Sequence, residues 1–430
     1  MRPTVLVATT SRWFPTARLA MALAKAGFTV KAICPSRHPL RKTGTAHETY
    51  TYHGLSPIAS FANAIAAAKP DIVIPGDDLA TQHLHEVYHR KIRTGKAGEA
   101  ICALIERSLG SPESFAVVYA RTRSMELAQE EGVRVPKTEV ITNTDDLHKW
   151  VARTGFPTVL KADGSCGGVG VRIVHTMEEA ERAFRALANP PLLARAAKRA
   201  LINQDMTLVW PSLLRLRPTV NAQAFVPGHE ATSTVACWKG SVLAALHLEV
   251  LSKTDSTGHA TVLRLIEDAE MSAATEKMVR RLNLSGVHGF DFMREAQTGN
   301  AFLIEINPRA TQVGHLALGP RRDLPAALYA AVSGEAVQAT PTVTEKDTIA
   351  LFPQEWIRDS ASPFLRSAYH DVPWEAPKLV LACIRRCRQQ NAWYSSRAGV
   401  GSLREFIALA HDCHAEGSHH AALIAKQSKS

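Results

Sequence analysis

Apolar runs alternate with amphipathic stretches over the first 110 or so positions. Residues 4–8, 28–34 and 71–75 read as strands, and 16–26 and 61–68 as helices. Gly27 is placed to stop the first helix, and Pro70 breaks the second. Strand–helix alternation of this kind predicts a parallel sheet faced by helices. In such sheets ligands sit past the carboxyl ends of the strands. Those ends carry Thr9-Thr10-Ser11-Arg12, Pro35-Ser36-Arg37 and Gly76-Asp77-Asp78, and none has the Gly-x-Gly-x-x-Gly spacing of a dinucleotide site.

Past residue 110 the pattern predicts a helix over 114–131 closed by Gly132, a strand over 138–141 and a helix over 145–154. A strand over 156–161, a glycine-rich loop, a strand over 171–174 and a helix over 178–187 follow. Residues 220–251 alternate with the period of two expected of strands, with turns at Pro227-Gly228 and Lys239-Gly240. After a helix over 269–282, residues 288–293 and 301–306 read as paired strands about a turn at 297–300. The last 70 or so residues read as helical and basic, and residues 378–388 as a basic amphipathic helix suited to packing on the body or to membrane-surface contact.

Composition narrows the class. A chain of 430 residues, 46% hydrophobic and 21% charged, is long enough for several domains and is neither disordered nor fibrous. No stretch approaches the roughly 18 apolar residues of a membrane span. The amino-terminal residues lead straight into a strand, so the expected compartment is the cytoplasm. Seven cysteines at irregular spacing fit reduced thiols. Fifty Lys and Arg against 40 Asp and Glu give a net charge of +10. That charge suits a pocket for nucleotide phosphates and carboxylates but does not choose the function; without finger spacing or aromatic-interleaved basic repeats, nucleic acid is not expected.

Two motifs carry chemistry. Lys161 precedes a loop in which Gly164, Gly167, Gly168 and Gly170 lie within seven residues, with Ser165 among them. Glycines let backbone N–H groups approach an anion, and a lysine at the loop's entry neutralises phosphate. A strand follows the loop, which excludes a Walker A loop. The second motif pairs Asp291, in Phe-Asp-Phe-Met, with Glu305-Ile-Asn307-Pro-Arg309. Glu305 and Asn307 are two apart and share a strand face, and the hairpin folds Asp291 beside them. Two carboxylates and an amide oxygen form a hard-oxygen site of the kind Mg²⁺ shares with phosphates. Arg309 is placed to meet phosphate or an acyl intermediate.

In this order and spacing, over about residues 111–340, the motifs resemble the ATP-grasp superfamily of carboxylate–amine ligases. The resemblance implies nucleotide held between two α+β lobes, with the glycine-rich loop over its phosphates. Residue by residue, it implies that Lys161 reaches the phosphates and that Arg121 (or Arg123) is the first basic nucleotide contact. Gln223, Phe225 and Val226 would form the hinge against adenine, and Glu230 would accept from ribose. Asp291, Glu305 and Asn307 would hold Mg²⁺, or Mn²⁺ in its place, and Arg309 would stabilise the γ-phosphate or acyl phosphate.

Four further residues are candidate substrate contacts: Asp77 and Asp78 at a strand end, His259 in a loop, and His315 six positions past Arg309. For Asp77 and Asp78 a helix N-cap is the competing role. The fold expected is α/β and α+β: an α/β domain over 1–110, an ATP-grasp domain over 111–340 with a lid lobe (111–225) and a catalytic lobe (226–340), and a mainly helical extension over 341–430. The implied reaction is ATP- and Mg²⁺-dependent joining of a carboxylate to an amine, amino-acid or peptide-like, through an acyl phosphate. A bicarbonate-activating carboxylase or carbamoyl-phosphate-type enzyme is the alternative enzyme reading, and a non-catalytic ATP-binding scaffold the non-enzyme one. The pattern does not fix the oligomeric state, for which a homodimer is the commonest arrangement.

Overall fold

A computed structural model describes residues 2–164, 170–198, 200, 208–255, 258–336 and 340–392. The first four strands, β1 (Thr4–Ala8), β2 (Thr29–Cys34), β3 (Glu48–Thr51) and β4 (Ile72–Pro75), form a parallel sheet in the order β3-β2-β1-β4. β1 and β4 are almost wholly buried, as expected of strands covered on both faces. The helix Phe14–Lys25 buries Ala17, Leu19, Ala20 and Leu23 and ends before Gly27, whose φ is +115°. A Cβ on Gly27 would stand 2.9 Å from the Tyr329 ring, so glycine is needed both for the turn and for the approach of the helix Leu324–Ser333.

The helix Asp78–Ile92 was not singled out by the sequence pattern, because its buried face carries polar and imidazole side chains (Thr81, His83, His85) that blur the periodicity. Between residues 112 and 120 the chain makes two short 3₁₀ turns instead of the start of a long helix. Ala120 is non-helical (φ −90°, ψ 94°), and the helix proper runs from Arg121 to Glu130.

A second, antiparallel sheet contains β5 (Thr138–Ile141), β6 (Thr158–Ala162), β7 (Val171–Val174) and β8 (Val220–Ala224) in the order β5-β8-β6-β7. The helices Thr144–Thr154 and Met177–Ala188 pack on it through Leu147, Trp150, Ala180 and Phe184. The third sheet has seven strands, in the order β13-β12-β9-β10-β11-β14-β15. Its members are β9 (Gly228–Trp238), β10 (Ser241–Lys253), β11 (Ala260–Leu265), β12 (Gly286–Glu295), β13 (Ala301–Asn307), β14 (Thr348–Leu351) and β15 (Tyr369–Asp371).

β14 and β15 lie beyond position 340, in the stretch read as mainly helical; with four and three residues they are too short to show a period. The helix Pro377–Ala392 follows, and Leu379, Val380, Leu381 and Ile384 bury its first turns in the core. Among the described residues, no helix is long and apolar enough to cross a membrane.

Candidate active site

The antiparallel register of β12 and β13 sets Asp291 opposite Glu305. On its other side β12 pairs with β9, which sets Asp291 opposite Thr232. Thr232 Oγ1 donates to Asp291 Oδ1 at 2.9 Å, and Asn307 Nδ2 donates to Oδ2 at 2.8 Å. Burial and the neighbouring Glu305 carboxylate push the Asp291 carboxyl up to about 6. Burial acts on Glu305 in the same direction, but the Arg121 and Lys161 charges outweigh it and hold Glu305 below the ordinary carboxylate range.

Lys161 faces the carboxylates from the second sheet, and Arg121 from the start of the helix Arg121–Glu130. Lys161 is on β6 and 5% exposed. Burial pulls its ammonium down to about 8, even though Glu305 and Asp291 oppose the shift. Arg121 opens its helix and spans the gap between the sheets: Nη1 donates to the Ala162 carbonyl at 2.7 Å and meets Asp163 Oδ1 at 3.2 Å, while Nη2 meets Glu305 Oε1 at 2.6 Å. Arg123 lies half-exposed and pairs with Glu126 and Glu130, so Arg121 is the arginine of the site. Asp163, which also accepts from Asn221 at 2.9 Å, was missed in the sequence because it sits inside the glycine-rich motif.

Arg309 closes one end. Its Nε donates to Asp78 Oδ2 at 3.0 Å and its Nη2 to Asn307 Oδ1 at 3.2 Å, and its guanidinium lies 5.2 Å from the centre of the Trp13 ring. His259 is 6.4 Å from Trp13, ring centre to ring centre, and burial followed by the Arg309 charge holds it below its ordinary value. Trp13, Asp78, His259, Lys161, Glu305 and Arg309 line one cleft of about 330 Å³. Trp13 had no signal in the sequence beyond being an aromatic residue just past a strand end.

The same cleft is lined by Arg121, Gly164, Gln223, Phe225, Val226, Glu230, Asp291 and Asn307, which the sequence had singled out in separate segments. Gln223 does not hold its amide free for a ligand: Nε2 donates to Thr138 Oγ1 at 3.1 Å. Glu230 pairs with Lys253 at 2.5 Å. Gly164 has φ +70°, and Gly170 closes the loop through a 2.9 Å bond from Ala162 N to its carbonyl. Ser165, Gly167 and Gly168 lie outside the described residues.

Two candidates sit elsewhere. Asp77 caps the helix Asp78–Ile92 through Ala80 N at 2.9 Å. Its remaining capacity is taken by Thr9, Thr10 and Ser11, with Oδ2 at 2.6 Å from Thr9 Oγ1 and 2.7 Å from Thr10 N. A carboxylate with these partners shapes a loop and has no valence left for substrate. Asp77→Ala is therefore expected to cost about 2 kcal/mol of stability, read by urea unfolding. His315 is also no cleft residue: its Nε2 bonds Asp371 Oδ2 at 2.7 Å, and Asp371 in turn pairs with Arg18.

Among the described residues, no three His, Cys, Asp or Glu side chains gather to hold a metal ion by themselves. Asp291, Glu305 and the amide oxygen of Asn307 nevertheless fit Mg²⁺: they are hard oxygen donors on adjacent strands, and Mg²⁺ takes one or two carboxylates with phosphate and water completing its shell.

Residues 120–317 match the family model described as carbamoyl-phosphate synthase L chain, ATP binding domain. The chain is 23% identical over 214 residues to the carbamoyl phosphate synthase large chain of Methanosphaerula palustris, a match covering 49% of this chain and 18% of that one. It is 29% identical over 109 residues to phosphoribosylamine–glycine ligase of Ralstonia nicotianae, covering 25% and 21%. The chain thus spans about a fifth of these curated relatives. The fold is similar to N5-carboxyaminoimidazole synthetase of Staphylococcus aureus complexed with ADP, with TM-score 0.54, 16% identity and 79% of each chain covered. It is also similar to the biotin carboxylase domain of 2-oxoglutarate carboxylase from Hydrogenobacter thermophilus, in complex with MgADP, ADP and bicarbonate, with TM-score 0.52, 15% identity and 79% and 71% covered.

Proposed function

We propose that the chain, whose residues 120–317 match the ATP-binding domain of carbamoyl-phosphate synthase, is an ATP-grasp ligase that activates a carboxylate as an acyl phosphate and joins it to an amine. The observation that carries this reading is the convergence of Lys161, Arg121, Asp291, Glu305 and Arg309 on one cleft, with Asp78 and His259 at the Arg309 end. The residues that fit a divalent ion are Asp291, Glu305 and Asn307, and the ion would supply neutralisation of phosphate charge.

The substrate carboxylate oxygen attacks the γ-phosphorus, and the bond to the β-phosphate oxygen breaks to release ADP. The amine nitrogen then attacks the acyl carbon, the carbon–oxygen bond to phosphate breaks, and the amine gives up a proton. This chain's part is to position the groups and stabilise charge. Lys161 and Arg121 face the nucleotide phosphates. Arg309, held by Asp78 and Asn307, meets the transferred phosphoryl group. Phe225 and Val226 bracket the base. Asp78 and His259 face the amine. None of these steps needs a protein nucleophile.

The test is phosphate release from ATP and Mg²⁺ across pools of amino acids and small carboxylates, with mass spectrometry of the products. Release that needs both an acid and an amine, with a product lighter than their sum by one water, is the expected result. Bicarbonate as the acid is the second reading, favoured by the bicarbonate in the similar H. thermophilus structure. Release stimulated by bicarbonate with no organic acid added would select it. Nucleotide binding without release in any mixture would overturn both.

A further inference from the structure

Residues 192–193 and 210–216, between the helix Met177–Ala188 and β8, present apolar side chains that no part of the described structure covers. Leu192, Leu193, Leu213, Leu214 and Leu216 are each 52–74% exposed, and Trp210 is 40% exposed. They hold more than half of the large apolar side chains exposed among the described residues. Two short helices, Leu193–Lys198 and Val209–Leu213, carry Leu193, Trp210 and Leu213, and the other three leucines flank them. The two stretches are tied together and to the body. Ser212 Oγ donates to the Pro191 carbonyl at 2.8 Å, and Trp210 Nε1 donates to the Gly54 carbonyl at 3.2 Å, beside Leu55, which is also exposed.

Positions 208–219 contain Arg215 and Arg217 and no Asp or Glu. Arg215 and Arg217 are exposed and alternate with exposed leucines in Leu214-Arg215-Leu216-Arg217. An exposed apolar patch of this kind marks an interaction surface. Exposed leucines with arginines among them and a tryptophan at the margin match the chemistry of the bilayer interface. There apolar side chains enter the headgroup–acyl boundary, and arginines meet anionic headgroups.

We propose that the surface formed by Leu192, Leu193 and residues 210–217 docks the protein on an anionic lipid bilayer, peripherally and without spanning it. Leu213, Leu214 and Leu216 insert, Arg215 and Arg217 pair with lipid phosphate or carboxylate, and Trp210 fixes the patch against the Gly54 loop. The lid lobe is thereby the part of the molecule nearest the membrane.

The test is flotation of the full-length protein with vesicles of phosphatidylcholine alone and of phosphatidylcholine with phosphatidylserine. Binding about tenfold tighter to the anionic vesicles, and weakened by salt, is expected. Leu213→Glu/Leu214→Glu should abolish flotation, and Arg215→Glu/Arg217→Glu should remove the anionic preference. Nucleotide binding, unchanged in both variants, shows that they fold. Absence of flotation by the wild-type protein would overturn the proposal. So would flotation that survives both variants and is lost on charge reversal in the 378–388 helix. A drop in the solution mass of the leucine variant, with no vesicle binding by the wild type, would assign the patch to self-association instead.

Discussion

Replacing Glu305 with alanine is expected to lower ATP-dependent phosphate release by about 10³-fold or more at saturating substrate, the scale seen when a charge-stabilising group is removed from a phosphoryl-transfer site. Glu305 does three things at once. It stands opposite Asp291 across the β12–β13 pair, so it is one of two carboxylates available to a divalent ion. It accepts from Arg121 Nη2 at 2.6 Å, which sets the direction of that guanidinium. Its charge also opposes the desolvation of buried Lys161. Alanine removes all three, so Glu305→Gln is the informative companion. The amide keeps an oxygen for Arg121 and the shape of the strand but carries no charge. Turnover near the alanine level with an unchanged thermal midpoint would assign the loss to charge at the metal and phosphates. A glutamine variant at the wild-type rate would show that Glu305 is not a ligand of the catalytic ion.

The groups proposed to bind the nucleotide also hold one another in place. Arg121 bridges Asp163 and Glu305, Asn307 bridges Asp291 and Arg309, and Arg309 bridges Asn307 and Asp78. Each of the two arginines therefore has an internal carboxylate or amide partner. Such a network keeps long side chains oriented before substrate arrives, which is the preorganisation that charge-stabilising catalysis requires.

The parts of this site legible in the sequence are those whose local period fixes geometry. Glu305 and Asn307 share a face because a strand repeats every two residues, and a short hairpin must return Asp291 beside them. Lys161 was legible from the glycines after it. The inter-sheet contacts were not, because no local pattern encodes which sheet edge meets which. Arg121 was found only through resemblance, and its role rests on a helix start at Ala120 that no residue there announces. Trp13 and Asp78 reach Arg309 from the first sheet's loops, more than 200 positions away in sequence. Asp77 and His315 misled for a shared reason. A polar residue beside a motif has the same appearance whether it faces the cleft or a structural partner, and only the fold distinguishes Asp77 on its cap from Asp78 on Arg309. The strands β14 and β15 escaped notice because three or four residues do not establish alternation.

Asp371→Ala is expected to destabilise the protein by about 3–5 kcal/mol, as removing one partner of a buried ion pair generally does. Asp371 ends β15, is 2% exposed, and takes Arg18 on one carboxylate oxygen and His315 on the other. Arg18 lies in the first helix, 353 positions earlier, so the pair ties the amino-terminal unit to the last strand of the large sheet. Alanine would leave a buried guanidinium without its counter-charge. Burial by itself would raise the Asp371 carboxyl, but the charges of Arg18 and His315 outweigh it and hold it below the ordinary range. A depressed carboxylate binds its proton less readily in the folded state than in the unfolded chain. Its contribution is therefore complete above the unfolded value of about 3.9 and is lost as pH falls through the lower folded value. Urea unfolding from pH 7 down to the acid limit should show wild-type stability falling more steeply than that of Asp371→Asn below about pH 4. The double variant Arg18→Met/Asp371→Leu, which removes both charges, should recover part of the loss. If the single variant unfolds within about 0.5 kcal/mol of wild type, as substitutions outside a buried network do, the two units are held by apolar packing alone.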